Sequence, residues 1–152
     1  MQSGNVALVV SVVGMVGPPL FGRLDPGPAR RRGWILGFTL VVAGLFAVMA
    51  FNPGTGFDIA IAIAVGVLSG YIVLQYADVR LAYPAAMTGR AMAVFTMAMF
   101  LGVAVMQWCT GLLASAAQAR GTDPYFAVLL AIALMLLAGA AAYRLLPAPG
   151  GR

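Results

Sequence analysis

The sequence predicts an all-α, polytopic membrane helical bundle of five transmembrane helices, and three observations predict it. Of the 152 residues, 62% are hydrophobic and only 9% are charged, where a soluble domain carries about a quarter charged residues. The charges cut the chain into five apolar stretches, 1–22, 33–57, 59–77, 91–119 and 124–143, each near the roughly 20 residues a helix needs to cross a hydrocarbon core. Nowhere does the chain alternate in the ten-residue segments of a membrane β-barrel. A single transmembrane domain over 1–152 follows, with spans at about 5–22, 34–52, 58–77, 91–117 and 124–146.

The first span has no basic residue before it and meets its first charge at Arg23, so it reads as a helix entering with its N-terminus outside, without a cleavable signal. Asp25-Pro26-Gly27-Pro28 then makes a loop ahead of Arg30-Arg31-Arg32. The second span has Trp34 at its edge and Thr39 as its only other polar side chain, which reads as a peripheral helix. Asn52-Pro53-Gly54-Thr55-Gly56 turns the chain into the third span. There Ala60, Ala64, Leu68, Tyr71, Gln75 and Asp78 share one arc at 100° per residue, small outside and polar at the cytoplasmic end. Gly66 and Gly70 form a GxxxG on another face, which with Ser69 suits close approach to a neighbouring helix.

After a loop with Pro84 and Gly89, the fourth span places Thr96, Phe100, Val103, Gln107 and Thr110 on one arc. Gln107 sits near mid-span, and its amide needs partners for two donors and two lone pairs; a cavity and an interhelical hydrogen bond both satisfy it. Met92, Met99 and Met106 read as packing, while Trp108 and Cys109 point elsewhere. The fifth span carries no polar side chain from Phe126 to Ala142 and offers the small run Ala138-Gly139-Ala140-Ala141-Ala142, again a peripheral helix.

Eight of the nine arginines (23, 30, 31, 32, 80, 90, 144 and 152) fall on one side of this topology and Arg120 alone on the other. The positive-inside rule then puts the N-terminus outside and the C-terminus in the cytoplasm of a bacterial-type inner membrane, with lipid as a partner. The net charge of +5 is spread between apolar runs rather than over one basic face, so no nucleic acid is expected. Histidine, lysine and glutamate are absent, which removes histidine bases, Schiff-base lysines, the phosphate-loop lysine and the usual metal clusters. No catalytic residue, metal or cofactor is expected, and the chain does not read as an enzyme. Asp25 and Asp123 lie in loops, while Asp58 and Asp78 lie at span ends, so no carboxylate sits at mid-membrane to relay protons.

The segment Gly17 to Arg32, GPPLFGRLDPGPARRR, resembles the glycine-aspartate-arginine loop signature that major facilitator transporters carry after the second helix of each six-helix half. Gly22 and Asp25 are one residue closer than in the family pattern, and Pro26 replaces a basic residue. Tyr83 to Ala93, followed by Phe100-Leu101-Gly102 and Met106 to Gly111, is similar to the family's penultimate helix and the loop before it.

The resemblance implies helices eight to twelve of a twelve-helix transporter, with eight, ten and eleven facing the cavity and nine and twelve peripheral. It further implies that an N-terminal half is missing, that Met1 is an internal start or marks a truncation, and that Gly22, Asp25, Arg30 and Arg31 dock the cytoplasmic loop onto that half. A small solute moved by alternating access is then expected between the third and fourth helices at Tyr71, Gln75 and Gln107, with Thr96, Phe100 and Thr110 on the lining face. The alternative is a free-standing five-helix membrane subunit that scaffolds or regulates a partner through a docking face, without a midplane cavity.

Overall fold

A computed structural model describes residue 8, residues 11–51 and residues 54–145. All regular structure among the described residues is helical: α1 (Gly17–Arg23), α2 (Pro28–Ala50), α3 (Thr55–Leu68), a 3₁₀ turn (Ser69–Tyr71), α4 (Ile72–Ala82), α5 (Ala85–Ala119) and α6 (Pro124–Leu145). Four helical rods are long and apolar enough to cross a membrane: α2, the Gly56–Ala82 rod that runs from α3 through the 3₁₀ turn into α4, α5, and α6. These make the chain an all-helical bundle of integral-membrane type. Of the expected first span, Ser11–Gly14 and α1 are helical, and residues 1–7, 9 and 10 lie outside the described set. Asn52 and Pro53 of the expected turn lie outside it too, as does the tail that carries Arg152.

Three of the rods, α2, the Gly56–Ala82 rod and α5, begin earlier than their apolar runs, because a run marks hydrocarbon crossing whereas backbone chemistry sets a helix end. Gly27, at φ 81°, turns the chain, and Pro28 opens α2, where a missing N–H costs nothing and the fixed φ suits a helix. Arg30, Arg31 and Arg32 therefore belong to the first turns of α2 instead of a loop. At the other end of the bundle α5 closes with a Schellman arrangement. Thr122 N–H donates to Ala117 C=O and Gly121 N–H to Gln118 C=O, with Gly121 at φ 69°. At 35 residues, α5 is about 52 Å long and overruns a hydrocarbon core of about 30 Å.

Packing distributes the helices differently from their polarity. The second and fifth apolar stretches, expected at the periphery, are α2 and α6, and they pack more extensively on each other than any other pair. Buried Ile35, Val42 and Ala43 of α2, with Ala133 and Ala140 of α6, show how small and branched side chains let the two axes approach. A core forms where Phe21 of α1, Ile35 of α2 and Leu74 of α4 meet, with Phe38, Leu68, Tyr71 and Tyr143 packed around them. Phe21 stands edge-on to Phe38 at 4.9 Å.

The Gly66/Gly70 pair does meet a neighbouring helix, and that neighbour answers with glycines of its own. A methyl group added to Gly70 would fall on the backbone of Gly17, one added to Gly17 would lie 2.5 Å from Val67 C=O, and one added to Gly14 would lie 3.5 Å from Gly66 C=O. Backbone rests on backbone here, in the manner of small-residue membrane contacts.

Candidate functional site: a cavity between four helices

This glycine contact fixes one side of the Gly56–Ala82 rod, and the opposite side carries its polar residues. Gly70 is pressed on Gly17, and the next residue, Tyr71, closes the 3₁₀ turn with its ring stacked on Phe38 at 6.2 Å. A short 3₁₀ stretch within a long helix shifts the register of the side chains that follow. Gln75 follows one turn later and Asp78 one turn after that, as the shared arc in the sequence anticipated.

These three side chains line a cavity of about 340 Å³ bounded by α2, α4, α5 and α6. Thr39 enters from α2; its hydroxyl donates to Ile35 C=O at 2.8 Å and shares a hydrogen bond with the Tyr71 hydroxyl at 3.2 Å. Tyr143 enters from α6 and donates its hydroxyl to Asp78 Oδ2 at 2.8 Å. Phe95 is the contribution of α5, held edge-on by Tyr76 at 5.0 Å. Ile35, Leu36, Met135, Leu136, Gly139 and Ala140 complete an apolar wall.

Two groups in this wall have spare hydrogen-bonding capacity. The Gln75 amide has no partner among the described residues, and Asp78 has only the Tyr143 hydroxyl on one of its two oxygens. In a low-dielectric bundle an unpaired amide is costly, and Gln75 and Asp78 both line the cavity.

The other expected site residues do not converge here. Thr96 turns to the Tyr76 hydroxyl at 3.4 Å, and Thr110 bonds back to Met106 C=O at 2.8 Å. Phe100, at 65% exposure, and Gln107 lie on the outer face of α5. In exchange, the cavity takes in Thr39, Phe95, Asp78 and Tyr143, none of which was singled out as a site residue. Asp78 carried a legible signal, since it closes the Tyr71–Gln75 arc. Tyr143 carried a fainter one: it lies one turn from Gly139 on the same face of α6.

The loop residues form a compact ionic clasp at the head of α2. Asp25 accepts from Gly27 N–H at 3.1 Å, from Arg31 Nε at 3.1 Å and from Arg31 Nη2 in an ion pair. The Arg31 guanidinium beside it holds the Asp25 carboxyl below its ordinary value of 3.8, with burial opposing and the Gly27 N–H assisting. Arg31 is 4% exposed, and its Nη1 has no partner among the described residues. Arg30 and Gly22 are exposed, and nothing lies within 4 Å of where a Gly22 side chain would start. Arg32 lies over the Tyr143 ring at 5.0 Å and donates to the Tyr143 C=O at 2.7 Å, tying α2 to the end of α6.

No family model, curated protein or solved structure matches the chain.

Proposed function

We propose that the chain takes part in moving a small solute across the membrane by alternating access, as the C-terminal portion of a major-facilitator-type secondary transporter. The observation that carries the reading is the unpaired Gln75 amide inside a cavity of about 340 Å³ between helices long enough to span a membrane. Such a volume is at the lower end of small-molecule sites, and a mostly apolar wall with a few convergent polar groups is their usual lining. The cavity runs from Thr39 and Tyr71, near the middles of their rods, to Asp78 near a rod end, the depth at which transporter sites lie. A scaffolding subunit would need no such cavity.

In this reading the outer face of α5, with Gln107 and Phe100, turns toward a second half of the transporter. The loop clasp of Asp25 and Arg31 would steady the cytoplasmic end, with α1 entering from outside. Cysteines at Arg30 and Thr122, introduced in a Cys109→Ala background, should then label from opposite sides of sealed vesicles.

The direct test is solute binding by the purified full chain in lipid nanodiscs. A panel of sugars, polyols, amino acids, carboxylic acids and amines is screened for saturable binding, and the strongest ligand is retested on Gln75→Leu. Binding weakened tenfold or more by that change is expected. A panel with no ligand, or a ligand indifferent to Gln75→Leu, would overturn the proposal.

A further inference from the structure

Helix α5 turns one face to its own chain, where Phe95 stands edge-on to Tyr76 of α4 and the Tyr76 hydroxyl reaches Thr96 and Met99. A different face carries a seam. Met97, Phe100, Ala104, Gln107 and Gly111 recur at alternating steps of three and four, and Gln118 follows seven residues later, the spacing by which two helices interlock along their length. All six are exposed, and nothing lies within 4 Å of where a Gly111 side chain would start. The seam holds two amides, Gln107 near mid-span and Gln118 in the last turn of α5. Neither side chain has a partner among the described residues. Apolar side chains are at home in lipid, but an amide among lipid tails has two donors and two lone pairs to satisfy.

We infer that α5 pairs along this seam with α5 of a second copy of the chain, the two running parallel. A second copy is the occupant because an amide is its own complement, donor to acceptor. Copies inserted with one orientation under the same arginine bias bring Gln107 to Gln107 and Gln118 to Gln118 at matching depths. Ala104 and Gly111, about one turn to either side of Gln107, let the two axes come close enough for the amides to meet. No charged residue lies between Arg90 and Arg120, so the copies do not repel across the seam. The pairing stands on α5 alone and goes beyond the solute reading; within that reading, the second half that α5 faces is a second copy.

The test is disulfide crosslinking of the full chain in phosphatidylcholine liposomes. Ala104→Cys, Gly111→Cys and Val105→Cys are made separately in a Cys109→Ala chain and oxidised with copper phenanthroline. Val105 is exposed at the same depth as Ala104 but points about 100° away from it. Ala104→Cys and Gly111→Cys should form covalent dimers at least tenfold faster than Val105→Cys, and adding Gln107→Leu with Gln118→Leu should slow the Ala104→Cys reaction at least tenfold. The three cysteine variants keep both amides, so they decide the matter even if the double leucine variant fails to insert. Equal rates at Ala104→Cys and Val105→Cys overturn the pairing, and so does a crosslink indifferent to the loss of both glutamines. Solute binding without seam crosslinking overturns the pairing alone, whereas seam crosslinking beside a silent solute panel supports the pairing and overturns the solute reading.

Discussion

Helices α2 and α5 invert the rule that polar helices face inward. α2 has Thr39 as its one polar side chain through the middle of the span, yet 22% of its most apolar window is buried. α5 carries Thr96, Gln107, Thr110 and Ser115, yet none of its corresponding window is buried. In lipid the apolar side chains of a helix gain nothing by leaving the tails for a neighbour, so close packing and satisfied polar groups decide which helices are central. α2 satisfies Thr39 on its own backbone and on Tyr71 and has the small residues to approach α6. The Thr110 and Ser115 hydroxyls of α5 bond back to their own helix, so among the described residues Thr96, against Tyr76, is the one polar side chain of α5 that bonds to another helix.

The contrast is sharpest at the glycines. Gly70→Val places a branched side chain on the Gly17 backbone and should cost about 3 kcal/mol or more, the upper range for overpacking, read as a large fall in melting temperature in detergent. Gly102→Val on α5, with nothing within 4 Å of its Cβ position, should change the melting temperature little. Equal effects would break the comparison.

The clasp at the head of α2 comes next. Asp25→Asn leaves the buried Arg31 facing a neutral partner and should cost about 2 kcal/mol, less than a fully buried pair because Asp25 is 27% exposed. Since the folded carboxyl titrates below 3.8, its contribution is fully present at neutral pH and disappears as pH falls through that lowered value. The gap in stability between wild type and Asp25→Asn should therefore be full at pH 7 and close only below about pH 3.8. A gap that does not shrink at all between pH 7 and pH 2 would show the loop, not the charge, to be responsible.

Smaller effects separate packing from exposure. Leu74, 1% exposed, should lose roughly 2 kcal/mol on truncation to alanine, the low end for a buried leucine, because lipid-facing reference states reduce the transfer part. Leu101→Ala on α5, at 66% exposure, should cost little by the same assay. Smallest of all, Gln107→Ala should leave the stability of this chain within about 0.5 kcal/mol, since its side chain is exposed in the described structure. A larger loss would reveal a partner for that amide within the bundle.

The class of the fold was legible because hydrocarbon thickness imposes a length that composition records directly. So was one face of the Gly56–Ala82 rod, where Tyr71, Gln75 and Asp78 recur at helical spacing, and so was the glycine pair that meets another backbone. What could not be read was which helices stand opposite that face. The apolar residues of α2 and α6 run all the way round, and no periodicity marks an inward side when lipid and protein are equally apolar. Thr39 looked incidental for the same reason, and Phe95 was one apolar residue among many. Gln107 and Phe100 share an arc on α5, but an arc fixes neighbours on one helix and not what lies across from them.

Access of water to the Gln75 position tests the account most directly. Gln75→Cys and Leu101→Cys are made separately in a Cys109→Ala chain, reconstituted in liposomes, and treated with a small charged methanethiosulfonate. Thiolate chemistry needs water, so the Gln75→Cys thiol, set in a solute cavity, should react at least tenfold faster than the Leu101→Cys thiol on the exposed apolar face of α5. Equal rates in the two variants, or a Gln75→Cys thiol that reacts only after the protein is unfolded, would contradict the claim that this cavity is a site.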